Sequence, residues 1–181
     1  MRLPNYITPN FITVARLLFV PVGAYTLFKN GGNDPLWQYI SWIVFFILGL
    51  SDILDGNLAR SRNSITELGK FLDPVADKVM IGTAMISLSI LNRLPWWITI
   101  VILVREIGIT FFRLAVIKRG VIAANKGGKI KSTFQNFGVG FYVLPLGEGL
   151  YWFRDGFMLI AVILTIVTGF YYVQSAFKLG K

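Results

Sequence analysis

Four aspartates, Asp52, Asp55, Asp73 and Asp77, stand within 26 residues of a chain that has only nine acidic side chains. Asp52 and Asp55 are three apart and Asp73 and Asp77 four apart, so on helices each pair shares one face. Carboxylates crowded together repel, and they are tolerated only with shared protons or bound cations. The chain contains no histidine and no cysteine. A metal held here must therefore sit on oxygen ligands, which favours magnesium, calcium or manganese. The same absence restricts any general base to a carboxylate, lysine, tyrosine or water. Two cations at such a site would clamp a diphosphate and polarise the phosphoryl group under attack. Gly56 follows Asp55 and, lacking a side chain, lets a phosphate approach the backbone. Arg60, five residues beyond Asp55, suits phosphate oxygens. The plainer alternative makes these acids interfacial charges paired with Arg60, Arg62, Lys70 and Lys78. Four acids at paired helical spacings beside a glycine and an arginine weigh against it.

The elements that must position these groups are apolar. Of 181 residues 55% are hydrophobic and 15% charged, against about 25% charged in an average soluble domain. The composition points to an all-α, polytopic membrane protein, one compact domain over residues 1–181. About 20 apolar residues cross a bilayer as a helix, and six stretches qualify: 10–28, 36–54, 71–91, 95–117, 133–152 and 156–177. Thr8 and Pro9 read as a helix start, and Gly31 to Pro35 as a tight connection. Leu94-Pro95 opens the fourth span, and Gly127-Gly128 interrupts the loop before the fifth. No cleavable signal peptide is expected, because Met1 to Asn10 is polar and no small-residue cleavage site follows the first apolar run. Six spans put both termini on one side. That side carries Arg2, Arg60, Arg62, Lys70, Lys118, Arg119, Lys126, Lys129, Lys131, Lys178 and Lys181, and the other only Lys29, Arg93 and Arg154. The bias makes the termini, and the aspartates with them, cytoplasmic in a multi-pass cell-membrane protein. A net charge of +9 then reflects loops facing anionic lipid. Nucleic acid is not the expected partner, since the basic residues are scattered among hydrophobic spans.

The window Asp52, Asp55, Gly56, Ala59, Arg60, Gly69, Asp73 and Asp77 is a complete D-x-x-D-G-x-x-A-R-x8-G-x-x-x-D-x-x-x-D pattern. It resembles the signature of the CDP-alcohol phosphatidyltransferases, a six-spanning family, and eight fixed residues make that signal specific. The resemblance implies that Asp52, Asp55 and Asp73 hold a divalent metal, Mg2+ or Mn2+, and that Asp77 faces the same metal and acts as general base. It implies contacts to the CDP-lipid from Gly56 and Arg60, with Thr66 a weaker candidate. Asn10 and Thr13, in the run Asn10-Phe-Ile-Thr13-Val-Ala-Arg16, match the family's segment beside the nucleotide, although helix-start chemistry explains them as well. A homodimer is a further implication.

The acceptor alcohol has its own signals. Arg105 and Arg113 lie about 80° apart around the fourth span, and Lys126, Lys129 and Lys131 follow within six residues of one another. Basic groups converging on a cavity suit an anionic acceptor that carries phosphate. Glu106 and Arg113, seven apart, share a face and can pair, and an internal ion pair of Glu106 with these arginines is the plainer reading. Positive-inside topology is the plainer reading of the lysines. Val104-Arg105-Glu106, Arg113 and Gly128-Lys129-Ile130-Lys131-Ser132 with Gln135 resemble the bacterial phosphatidylglycerophosphate synthases within that family. This implies CDP-diacylglycerol as donor, glycerol 3-phosphate as acceptor, and Arg105, Arg113, Lys129 and Lys131 as ligands of its phosphate. Cardiolipin, serine or inositol-phosphate transfer are alternatives inside the family. A divalent-cation transporter is the alternative outside it, disfavoured because the acids sit at one membrane face.

Overall fold

A computed structural model describes residues 9–61, 67–116 and 126–178, with backbone alone for 9–10, 52–61, 67–71, 73, 113–116, 126–127, 129 and 176–178. Among the described residues every regular element is helical: α1 (Pro9–Phe28), α2 (Pro35–Ser61), α3 (Glu67–Ile90), α4 (Trp96–Val116), α5 (Lys126–Val143) and α6 (Tyr151–Lys178). Thr8, expected to cap α1, lies outside the described residues, and Pro9 opens the helix as expected.

Five helix ends differ from the apolar spans by several residues. α2 runs on to Ser61 rather than stopping at 54, because Leu58, Ala59 and Arg60 are good helix formers and one glycine costs only about 1 kcal/mol. α3 begins at Glu67 rather than 71, an acidic start that suits the positive end of a helix. α5 begins at Lys126 rather than 133, so Gly127-Gly128 lies in its first turn and does not interrupt a loop. It stops at Val143 rather than 152, where Pro145, Gly147 and Gly149 break the ladder and a short 3-10 turn at Glu148–Leu150 intervenes. α6 accordingly starts five residues early, at Tyr151.

The chain divides into two compact units. The first comprises residues 1–91 and 143–145. Here α1 buries a stripe of Thr13, Arg16, Val20 and Leu27, a spacing that keeps to one helix face. α1 packs on both α2 and α3. The α1–α2 connection turns through Asn30, Gly31 and Gly32, all at positive φ (52°, 71° and 77°). Asp34 caps α2, its Oδ1 accepting from Leu36 N at 2.9 Å while Asn30 Nδ2 donates to its Oδ2 at 2.7 Å, and Pro35 fills the first helical position. Buried Gln38 closes the turn by donating to the Gly32 carbonyl at 2.6 Å. A Cβ on Gly32 would stand 2.8 Å from Leu91 Cδ1 and Cδ2. The antiparallel α1–α2 register is pinned by Ser41 Oγ donating to the Gly23 carbonyl at 3.0 Å and Arg16 Nε donating to Ser51 Oγ at 3.3 Å.

The second unit comprises residues 92–142 and 146–181. Its core contains Leu94, Ile98 and Ile102 of the α4 region, Val139 and Tyr142 of α5, and Met158, Ala161 and Val162 of α6. Gly138 admits Met158, and Phe134, Phe141, Phe153 and Phe157 stack between α5 and α6. Tyr142 Oη and Arg154 Nε both donate to Asp155 Oδ1 at 2.8 Å, and the Arg154 guanidinium lies over the rings of Tyr142 and Tyr151. Burial, and then the neighbouring Arg154, push the Arg93 guanidinium below its usual range.

The outward faces are apolar in both units. Phe11, Leu18, Phe111, Trp152 and Phe170 are each more than 60% exposed, far more apolar surface than a water-soluble monomer shows. Two stretches, Phe11–Gly32 and Glu148–Ser175, are long and apolar enough to cross a bilayer, at 22 and 28 residues, and Pro35–Ser51 is a shorter apolar helix.

Candidate active site

The extension of α2 to Ser61 sets Asp52, Asp55, Gly56 and Arg60 on one uninterrupted helix, and α3 carries Asp73 and Asp77 in its first three turns. Arg60, expected in the basic connection after the second span, thus lies on α2, and residues 62–66, Thr66 among them, lie outside the description. The side chains of Asp52, Asp55, Arg60 and Asp73, and the surroundings of Gly56, lie outside it as well. Asp77 is half-buried. α2 and α3 meet near Gly49, where a Cβ would stand 3.9 Å from Met80 Cε.

Pro74 stands directly after Asp73, inside α3. Having no N–H, it leaves the carbonyl four residues earlier without its helical donor. Lys78 donates to the Pro74 carbonyl at 3.3 Å.

α1 approaches the same level. Arg16 is 2% exposed and bonded to Ser51, the residue before Asp52. Thr13, one turn earlier on that face, is fully buried. Asn10 is a further turn back, with its side chain outside the description. Residues 10–16 therefore run antiparallel beside the start of the motif on α2. In the sequence Arg16 ends the Asn10–Arg16 run but carries no assigned role. The signal available for it was the three-residue spacing Asn10, Thr13, Arg16.

In the second unit α4 presents Arg105 and Glu106 to α5 and α6. Arg105 Nη1 donates to Glu106 Oε1 at 2.9 Å, and Nη2 to Thr168 Oγ1 at 3.0 Å. Lys131 Nζ donates to the same Glu106 oxygen. Lys131 is 3% exposed, on α5 and not in a loop. Its burial is what hydropathy could not foresee: a lysine paired with a carboxylate can continue the inward stripe that Gln135, Val139 and Tyr142 extend. Arg113 on α4 and Lys129 on α5 have their side chains outside the description. Glu106 thus pairs with Arg105 and Lys131. Arg105 Nε, Gln135 Oε1 and Thr165 Oγ1 are buried without a hydrogen-bond partner among the described residues.

The chain matches the model of the CDP-alcohol phosphatidyltransferase family over residues 6–167. It belongs to the CDP-alcohol phosphatidyltransferases. Among similar proteins, a probable phosphatidylglycerophosphate synthase of Mycobacterium tuberculosis is 45% identical over 169 residues, covering 93% of this chain and 81% of the other. The CDP-diacylglycerol–glycerol-3-phosphate 3-phosphatidyltransferase of Bacillus subtilis is 36% identical over 186 residues, with 96% of each chain covered. That of Haemophilus influenzae is 36% identical over 182 residues, covering 93% and 92%. CDP-alcohol phosphatidyltransferases are membrane-bound and in general depend on a divalent metal, which agrees with apolar outer faces and an oxygen-only donor set. Among the described residues there is no cluster of acids able to hold a metal, and three of the four motif aspartates are not among the described side chains.

Proposed function

We propose that the protein transfers the phosphatidyl group of CDP-diacylglycerol to glycerol 3-phosphate, releasing CMP and phosphatidylglycerophosphate. The observation that carries this reading is the unbroken eight-residue motif spread over α2 and α3 in a chain whose relatives bear that activity in their names. The donor set fits a hard divalent metal: carboxylates alone, on two helices that pack on each other. Asp52, Asp55 and Asp73 would hold Mg2+ or Mn2+, with Asp77 facing it. When bound, the metal supplies charge neutralisation for the diphosphate and for the departing CMP.

The chain's own residues supply the rest. Gly56 and Arg60 receive the CDP portion, with Asn10, Thr13 and Thr66 beside the nucleotide. Arg105, Arg113, Lys129 and Lys131 hold the acceptor phosphate. Asp77 accepts the proton of the acceptor hydroxyl as its oxygen attacks the lipid-side phosphorus in line. One P–O bond forms to glycerol, the P–O bond to CMP breaks, and the proton rests on Asp77. The protein is proposed to be a single catalytic domain of six spans, acting as a homodimer, with termini and active site on the cytoplasmic face. The family match across both compact units supports one domain, and the charge bias of the connections supports the orientation.

The test is CMP release from CDP-diacylglycerol by purified protein, with glycerol 3-phosphate, serine, inositol phosphate or phosphatidylglycerol as acceptor. Turnover is expected with glycerol 3-phosphate, abolished by a chelator and restored by Mg2+ or Mn2+. Turnover of another acceptor, with none of glycerol 3-phosphate, would overturn the acceptor. Flux of metal without any CMP would overturn the enzyme.

A further inference from the structure

α5 turns one face inward from Lys131 through Gln135 and Val139 to Tyr142. Tyr142 has Asp155 as its partner. Gln135, one turn beyond Lys131, is 4% exposed, and its Oε1 is buried without a hydrogen-bond partner among the described residues. A buried amide oxygen without a donor has lost its hydration and received nothing in exchange, and native structures rarely leave one so. The two other buried atoms in that position have explanations inside the fold. Arg105 Nε faces the bare backbone of Gly169, where a Cβ would stand 3.3 Å away, and the two Nη atoms of that guanidinium are engaged on Glu106 and Thr168. Thr165 Oγ1 lies on α6, where a hydroxyl can turn to a carbonyl of its own helix, as Thr168 does to Leu164 at 2.6 Å. The longer glutamine side chain has no such short return, so the Gln135 amide is the group that calls for a guest.

We propose that Gln135 is a specificity-determining residue whose amide oxygen accepts a hydrogen bond from the middle hydroxyl of glycerol 3-phosphate. This rests on the reading of that compound as the acceptor and of Lys131 as a ligand of its phosphate. Residues four apart on a helix stand about 5–6 Å apart at Cβ, so a phosphate held at Lys131 leaves a three-carbon chain within reach of Gln135. The choice of hydroxyl follows from where the protons are. Gln135 Oε1 only accepts. A phosphomonoester dianion has no proton to donate, and the attacking hydroxyl gives its proton to Asp77 in the proposed reaction. The hydroxyl on the middle carbon is the one donor left. An acceptor that has it satisfies the buried amide, and one that lacks it leaves the oxygen both dry and unpaired. A site built to hydrogen-bond a hydroxyl rejects the analogue without it far more strongly than lost contact area alone would. The cations select for a phosphate, and Gln135 selects for what the phosphate is attached to.

The experiment compares CMP release by the full-length, metal-loaded protein in detergent with glycerol 3-phosphate and with 3-hydroxypropyl phosphate, which lacks only the middle hydroxyl. The wild type is expected to prefer glycerol 3-phosphate by about 10- to 100-fold in kcat/KM, the effect of one buried acceptor left unsatisfied. Gln135→Met keeps the length of the side chain and removes the amide. It should lower kcat/KM for glycerol 3-phosphate by about tenfold or more, leave that for 3-hydroxypropyl phosphate level or higher, and so abolish the preference. Inhibition by inorganic phosphate should be the same in both proteins, because phosphate alone does not need the amide. A merely structural Gln135 would lower both acceptors together and keep the preference, which overturns the proposal. Weaker phosphate inhibition in Gln135→Met overturns it too, since the amide would then serve the phosphate. If Gln135→Met does not fold, the wild-type comparison decides: equal use of the two acceptors overturns the hydroxyl contact and leaves the acceptor reading standing. Absence of turnover with glycerol 3-phosphate in the wild type overturns that reading and the contact with it.

Discussion

Asp77 and Lys131 differ in how far their chemistry could be anticipated from their neighbours. Asp77 belongs to a motif whose spacing alone marks it. As the proposed base it should be needed for turnover and not for folding. Asp77→Asn is expected to lower kcat by about 10²- to 10⁴-fold with an unchanged melting profile, and near-normal CMP release from that variant would exclude the role. Lys131 carried the plainer reading of a cytoplasmic loop charge. Its burial against Glu106 removes it from that class, since a loop lysine has no need of a desolvated carboxylate. Lys131→Met should raise the KM for glycerol 3-phosphate by about 10- to 100-fold, the worth of one hydrogen bond to a charged group, and change kcat far less. Steady-state kinetics on both variants separate the two effects.

At the level of elements, the connections do as much as the helices. The α1–α2 turn has three successive residues at positive φ, a capping Asp34 and a buried Gln38 that closes on the Gly32 carbonyl. Gly32 is the point where conformation and space coincide, with φ at 77° and Leu91 2.8 Å from any Cβ. Gly32→Ala should therefore destabilise the protein by about 2–4 kcal/mol, combining the left-handed penalty with overpacking. Gly31 also has positive φ but meets nothing within 4 Å, so Gly31→Ala should cost only the conformational part. Thermal unfolding of the two variants in one detergent measures the difference, and equal shifts would mean that the contact with Leu91 carries no weight. The turn matters for the site because it sets the α1–α2 register that ends on the Arg16–Ser51 bond beside Asp52.

For the whole molecule, the decisive property is an apolar exterior on helices that carry charge inside. Arg16, Arg105, Glu106 and Lys131 are turned inward while Phe11, Leu18, Phe111 and Phe170 face out, the inverse of a soluble helix bundle and the arrangement lipid demands. The proposed topology is directly testable because the chain has no cysteine. A single cysteine at Gly31 or Gly147 should react with a membrane-impermeant maleimide added to intact cells. One at Ser64 should react only after the membrane is opened. Labelling of Ser64 alone from outside would reverse the orientation, and labelling of all three would contradict the odd number of spans that separates Ser64 from each of the other two positions.

Much of the chemistry was legible in the sequence because it is local. Spacings of three and four residues put carboxylates on one helix face whatever the rest of the chain does, and the lack of histidine and cysteine narrows the metal ligands to oxygen by composition alone. The existence of six helices was legible for the same reason, as apolar length. Their ends were not. Hydropathy registers the part of a helix that lies in hydrocarbon, whereas α2 and α5 continue through polar residues to Ser61 and back to Lys126, as far as backbone hydrogen bonding lasts. Of the partners of Glu106, Arg105 was among those the sequence offered, whereas Lys131, 25 residues on and on another helix, was beyond reach. Spacing along one helix is dictated by its own geometry. Which buried cation meets a buried carboxylate is decided only when helices pack, because there an unpaired charge is too costly to leave and the nearest opposite charge in space takes it.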